Sequence, residues 1–248
     1  MFPVLQVGPV AVQVPGLLIL AGAWVGVTLV ERESSKRNVP PGLISNLVLL
    51  GMVGGVIGGR LGYVARYLDI YLQTPWSILS LNPSALSIPD GFLAAGVVAL
   101  IYGQRKGLPF WPTLDALTPG FATVALAVAV AHLANGDAFG APTRAPWGIQ
   151  LWGAKRQPTQ IYEMVLAGVL LAAVLRMRAP LPFAGFEALG WLALTASARL
   201  FLEAFRGDSV IVLNGIREAQ IVSLVVLWAA LVGLHLRARG KQGARRSD

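Results

Sequence analysis

Long apolar runs broken by short polar stretches recur from one end of this sequence to the other. Seven of them approach what a membrane-crossing helix requires: Val10–Val30, Leu43–Tyr67, Gly91–Tyr102, Thr113–Leu133, Ile161–Leu175, Phe183–Phe205 and Ala219–Leu236. A span needs about 20 mostly apolar residues. The third and fifth runs are short, so they reach full length only by taking in neighbours such as Leu86 and Ile88, or else they are partial helices buried against protein. The expected fold is an all-α membrane protein of about seven transmembrane helices. Residues 1–236 then form one transmembrane domain and 237–248 a basic tail.

Charge placement orients that picture. Arg32, Lys36 and Arg37, then Arg105 and Lys106, then Arg176 and Arg178, then Arg237, Arg239, Lys241, Arg245 and Arg246 all fall on one side if the spans alternate. Cytoplasmic loops carry such an excess, so the C-terminus is expected inside and the N-terminus outside. The outward segments 68–90, 135–160 and 206–218 carry Arg144, Lys155, Arg156, Arg206 and Arg217. The tail reads as a disordered segment lying on anionic lipid, worth about 1 kcal/mol per basic residue there. The first run reads as a retained helix and not a cleaved leader, because nothing basic precedes it and Glu31, Arg32, Lys36 and Arg37 follow it. Trp76, Trp111, Trp147 and Trp152 lie near span ends or in outer loops, where interfacial anchors belong.

Composition then removes several function classes. Of 248 residues 55% are hydrophobic and 13% charged, against roughly a quarter charged in soluble domains. The net charge of +8 sits at helix ends, which favours membrane lipid over nucleic acid as its partner. There is no cysteine, so disulfides, thiolate metal sites and a cysteine nucleophile borne by this chain are excluded. No metal-ligand cluster, nucleotide phosphate loop or Ser/His/Asp signature is present, and neither a cofactor nor a metal is expected.

Charges inside the apolar runs carry the candidate chemistry. The second run holds Gly51, Gly55 and Gly59 on one row and Gly54, Gly58 and Gly62 on the next, which predicts close helix packing. Arg60 follows that ladder, with Tyr63 and Tyr67 on its face. In the sixth run Arg199, Glu203 and Arg206 sit at i, i+4 and i+7, a plus, minus, plus stripe. It reads either as a structural ion pair with Arg206 reaching outward or as an anion site, and guanidinium forks suit phosphate. Arg60 and Arg199 together would clamp a lipid headgroup. The outer loop holds His132, Asn135, Asp137 and Arg144 among turn formers, and such loops are usually functional. His132 is either a structural histidine at a helix end or a proton acceptor. Pro158 predicts the start of a helix that brings Gln160, Tyr162 and Glu163 to the membrane edge, with helix capping a competing role for Glu163.

In this order and spacing the motifs resemble the phosphatidylglycerol–prolipoprotein diacylglyceryl transferase family along nearly the whole chain. Phe2-Pro3-Val4, Val7-Gly8-Pro9 and Gly16-Leu17 are similar to its opening, and Gly58-Gly59-Arg60-Leu61-Gly62-Tyr63-Val64 to its second-helix motif. Asn135-Gly136-Asp137 through Gly140, Pro142-Thr143 and Pro146-Trp147-Gly148 is similar to its signature loop, Arg156 through Glu163 to its next helix start, and Arg199, Glu203 and Arg206-Gly207-Asp208 to its sixth helix. The resemblance implies transfer of a diacylglyceryl group from phosphatidylglycerol to the lipobox cysteine of a prolipoprotein signal peptide, at the outer face of the bacterial plasma membrane. Arg60 and Arg199 would supply cations, Glu203 would orient Arg199, and His132 would be the base. Tyr63, Asp90, Asn135, Asp137, Arg144, Gln160, Tyr162, Glu163 and Arg206 would bind substrate. The chain departs from the family pattern at Pro15 for a tyrosine, Pro89-Asp90-Gly91 for His-Gly-Gly, Ala129 for an arginine, His132 for an asparagine and Asp137 for a glutamate. Two readings follow: a divergent transferase, or a phospholipid-binding membrane protein of altered or lost activity.

Overall fold

The computed structural model describes residues 4–7, 10–79, 85–177, 181–212 and 215–247. Phe2, Pro3, Gly8 and Pro9 of the family-like opening, and Arg178, lie outside the described residues. Eight α-helices occur among those described: α1 Val14–Lys36, α2 Pro41–Arg66, α3 Leu68–Gln73, α4 Ile88–Arg105, α5 Phe110–Asn135, α6 Thr159–Arg176, α7 Phe186–Glu203 and α8 Glu218–Ser247. Five of them, α1, α2, α5, α6 and α8, are long and apolar enough to cross a membrane. The helices α4 and α7 are 18 residues long but more polar, and α7 alone contains Glu187, Arg199 and Glu203.

Helix α5 is the hub: half of its most apolar stretch is buried, against 11–22% in the other four apolar helices. It packs on α1, α6 and α7, while α2 packs on α4 and α7 on α8. Small residues make these approaches possible, as expected where lipid tails compete equally well for apolar side chains. A Cβ on Gly54, Gly58 or Gly62 would meet Val98 Cγ2 at 2.7 Å, Ala94 Cβ at 2.1 Å or Asp90 Oδ2 at 2.1 Å. One on Gly55 or Gly59 would meet the Gly91 or Ser87 carbonyl oxygen at 3.3 or 3.0 Å. Both glycine rows of α2 therefore serve one partner, α4. Across the α1–α5 contact, Gly26 and Gly120 face each other in the same way.

Helix ends and loops depart from the expected spans. The first run begins as a strand: β1 Val4–Val7 pairs antiparallel with β2 Val10–Gln13, and α1 starts only at Val14 with Pro15 in its first turn. Alternating β-branched residues with an ensuing Pro favour that arrangement over an earlier helix start. The short third run is extended by Ile88, Pro89 and Asp90 into α4. Helix α8 stays helical into the basic segment, where the tail was expected to be disordered. There Arg237 donates to the Ala184 carbonyl at 3.1 and 3.3 Å and packs over Trp111, and Lys241 donates to the Pro182 carbonyl. Two further hairpins lie in the connections: β3 Ile149–Leu151 with β4 Ala154–Arg156, and β5 Ile211–Val212 with β6 Ile216–Arg217. Trp152 and Gly153, both at positive φ, turn the first of these, the geometry a two-residue hairpin needs.

Candidate functional site

The helix ends sort into two groups. At one end, rich in Lys and Arg, the C-termini of α1 and α8 meet the N-termini of α5 and α7. At the other, the C-termini of α5 and α7 meet the N-terminus of α6, and nearly every residue singled out from the sequence lies on that side.

The segment from Asn135 to Pro158 is built from this end's backbone. Gly136, at φ +81°, ends α5 in the left-handed conformation that suits glycine, and its N–H donates to the His132 carbonyl at 2.8 Å. The chain then runs beside the end of α7: Ala141 N–H donates to the Phe205 carbonyl at 2.8 Å and Gly207 N–H to the Phe139 carbonyl at 2.9 Å. Thr143 N–H reaches the Lys155 carbonyl and Gln157 N–H the Ala141 carbonyl, at 2.8 and 3.0 Å. Arg156 stacks over Phe139 with 4.8 Å to the ring centroid, and its Nε donates to the Leu151 carbonyl. Thr159 donates to the Ala138 carbonyl at 2.6 Å, fastening the start of α6 to the loop. A polar relay continues outward: Trp147 Nε1 donates to the Tyr162 hydroxyl at 2.9 Å, which donates to Gln157 Oε1 at 3.0 Å.

Beside this loop an open cleft of about 390 Å³ lies between the end of α7, residues 206–210 and the start of α8. Its charged lining is Arg199, Glu203, Arg206, Asp208 and Glu218, with Val210 and Val222 among its apolar lining. Glu203 is 1% exposed, and its Oε2 has no hydrogen-bond partner. That oxygen lies 3.6 Å from Arg199 Nη2 and 4.0 Å from Arg206 Nε. Arg206 is further held by Asp208 through two parallel bonds of 2.9 and 2.7 Å, the fork geometry of a strong guanidinium–carboxylate pair. Arg199 has no such second anchor among the described residues, so its donors are free to meet an anion in the cleft.

Arg60 is not brought to this cleft. Its Nε, Nη1 and Nη2 donate to the carbonyls of Ile78, Ala85 and Ser77 at 3.0, 3.0 and 2.6 Å, and it sits over the Tyr71 ring. The expected clamp of Arg60 with Arg199 is thus replaced by an Arg60 that braces the connection between α3 and α4. Asp90 meets Arg66, with Nη2 to Oδ2 at 2.8 Å, and Arg66 also donates to Ser87 Oγ. Tyr63 packs on Tyr67, ring centroids 4.7 Å apart. Asn135 donates to Asp137, both exposed, and Arg144 projects outward. Gln160 is fully buried with neither amide atom bonded. His132 Nδ1 lies 2.9 Å from Glu163 Oε2, joining α5 to α6.

A buried cluster at the basic end involves residues not singled out from the sequence. Arg37 pairs with Glu187 and lies 3.7 Å from Glu33 and 3.8 Å from Asp115. Asp115, reaching from α5, accepts the N–H groups of Gly185 at 2.6 Å and Ala188 at 2.9 Å, so it caps α7 from a neighbouring helix. The available signal was an acid inside each of two apolar runs, Asp115 and Glu187, which demands a cation partner.

The family model for prolipoprotein diacylglyceryl transferase matches residues 3–236. Among curated proteins, the phosphatidylglycerol–prolipoprotein diacylglyceryl transferase of Azoarcus sp. is 33% identical over 255 residues, covering 95% of this chain and 96% of its own. The similarly named protein of Lactiplantibacillus plantarum is 31% identical over 252 residues, 95% and 88% covered. That of Trichormus variabilis is 28% identical over 249 residues, 94% and 88% covered.

Proposed function

The chain belongs to the prolipoprotein diacylglyceryl transferase family, and from that premise we propose the reaction it carries out and the residues that serve it. It is a membrane transferase of lipoprotein biosynthesis, moving the diacylglyceryl group of phosphatidylglycerol onto a prolipoprotein. The acceptor is the lipobox cysteine of the signal peptide, met at the outer face of the bacterial plasma membrane. Seven spans, α4 and α7 included, cross with the N-terminus outside and the basic end in the cytoplasm, because the Lys and Arg residues gather there.

Phosphatidylglycerol enters sideways between α7 and α8 and lays its phosphate against Arg199 and Arg206. The acceptor's sulfur attacks the glyceryl carbon, the bond from that carbon to the phosphate oxygen breaks, and glycerol phosphate departs. Cations aimed at the leaving phosphate lower the barrier because they are already oriented when its charge develops. Glu203 holds the two guanidiniums apart and faces them into the cleft. Arg60 contributes through the connection it braces, as do Tyr63 and Asp90 at the same corner. Asn135, Asp137, Arg144, Gln160, Tyr162 and Glu163 frame the approach of the peptide, and His132 takes the thiol proton.

The observation that supports this reading is the cleft itself: two arginines flank a buried carboxylate with an unbonded oxygen, Arg206 is held by Asp208, and Arg199 faces the opening with no hydrogen-bond partner among the described residues, beside Glu218, Val210 and Val222. Ion pairs kept only for structure close on themselves, since each unsatisfied buried charge costs several kcal/mol. Membranes bearing the protein, given labelled phosphatidylglycerol and a lipobox peptide, should form the thioether. Arg199→Ala should abolish turnover in a protein that still folds. No product from well-folded wild type defeats the reading. Ala129, fully buried where the family pattern has an arginine, favours the second reading, in which phosphatidylglycerol is retained without turnover in the same assay.

A further inference from the structure

Glu163, the fifth residue of α6, stands just past the first turn, and His132 lies in the last turn of α5, where a basic ring ordinarily serves its own helix end. Neither side chain does so. The N-cap of α6 carries no side-chain hydrogen bond, and α5 is ended by the Gly136 N–H on the His132 carbonyl, a main-chain bond. The carboxylate instead crosses between helices to His132 Nδ1 at 2.9 Å. A carboxylate only accepts, so Nδ1 carries the hydrogen, and in the neutral ring it is Nε2 that holds the lone pair. Nε2 has no partner among the described residues and is not among the buried unpartnered atoms, and the side chain is 30% exposed, so that nitrogen can be reached from outside the helix pair.

We propose that His132 and Glu163 are a working pair, with Glu163 as the positioning residue that fixes the ring so that Nε2 removes the proton of the acceptor thiol. The proposal rests on the transferase reading above. In the step, the S–H proton passes to Nε2 while sulfur bonds to the glyceryl carbon. The carbon–oxygen bond to phosphate breaks, glycerol phosphate leaves with the electron pair, and the proton then goes to the departing phosphate or to water. The pair stands at the right end of the molecule for this. Tyr162, beside Glu163, packs edge-on against Phe205 with centroids 5.9 Å apart, and Phe205 adjoins Arg206 of the cleft. Of the departures from the family pattern, His132 is the one that brings a new proton acceptor to this end of α5.

The test compares two acceptor peptides, one with a lipobox cysteine and one with selenocysteine at the same place, on wild type, His132→Gln and Glu163→Gln reconstituted in phosphatidylglycerol-containing vesicles. A selenol is ionised at neutral pH and needs no base, whereas a thiol mostly does. With cysteine, His132→Gln should lose about 10²–10⁴-fold in kcat, the usual contribution of a positioned base. Glu163→Gln should lose about 10–100-fold, by analogy with carboxylates behind metal-binding histidines. KM for phosphatidylglycerol should stay unchanged in both. With selenocysteine both variants should recover to near the wild-type rate, and Glu163→Asp should fall between wild type and Glu163→Gln on cysteine. Equal losses with both acceptors, or no loss with cysteine, overturn the pair's role and leave the transferase reading standing. No product from wild type with either acceptor overturns the transferase reading and this proposal with it.

Discussion

Replacing Arg37 with methionine should be among the most damaging single changes in the molecule, although Arg37 lies at the end away from the cleft. The side chain is 14% exposed and faces three carboxylates. They do not suffer equally when it goes. Asp115 keeps the N–H groups of Gly185 and Ala188, and Glu33 keeps Lys36 at 2.5 Å. Glu187, 1% exposed, keeps no partner among the described residues. One stranded buried carboxylate costs about 3–5 kcal/mol, a change of roughly two to nearly four powers of ten in the unfolding constant. Glu187→Gln should cost only about 1–2 kcal/mol, because Arg37 retains Glu33 and Asp115 and the amide oxygen still accepts. The double variant Arg37→Met/Glu187→Met should be more stable than Arg37→Met alone, since removing both charges with apolar groups of similar volume is often close to neutral. Equilibrium unfolding in mixed micelles measures all three, and turnover per folded molecule should match wild type throughout. A loss below about 1 kcal/mol for Arg37→Met, or a double variant as unstable as that single one, would refute the reasoning.

Two further changes test close approaches. Gly62→Ala places a methyl against both Oδ2 and Cβ of Asp90 and should destabilise the α2–α4 packing by about 1–3 kcal/mol; adding Asp90→Gly, which removes both atoms, should restore part of it, as read by the same unfolding measurement, whereas Asp90→Ala, which keeps the Cβ, should not. Gly207→Ala meets the Gly140 carbonyl oxygen at 2.7 Å, a backbone atom that cannot swing aside, so the loop should lift from the end of α7 and thioether formation should fall at least about tenfold in protein of normal α-helical content.

Much of the scaffold was legible because apolar runs of membrane length have few alternatives. The α2 glycine rows likewise announced a close partner, and α4 supplies it. The Arg199, Glu203 and Arg206 stripe was legible for a local reason: four- and three-residue spacings put side chains together on any helix. What failed was long-range pairing. Nothing in the order of residues says that Arg60 will find three carbonyls between Ser77 and Ala85, or that Arg66, and not a ligand, will meet Asp90. The Arg37 cluster draws on three helices, and the two carboxylates it needs stand 78 and 150 residues downstream of Arg37, counting from 37 to 115 and to 187. The hairpins and the helical tail were missed because short strands and helix ends are decided by neighbours more than by pattern.

The fastening of the 139–143 segment to the end of α7 runs from amide to carbonyl on both sides. Such stitches are indifferent to the side chains above them. A lineage can therefore exchange the groups displayed on this rim, as a chain only about a third identical to its named relatives has had ample chance to do, while the rim keeps its place. Drift is stopped at Gly140 and Gly207, where even one added methyl has nowhere to go. The architecture thus separates what a descendant may retune from what it must inherit.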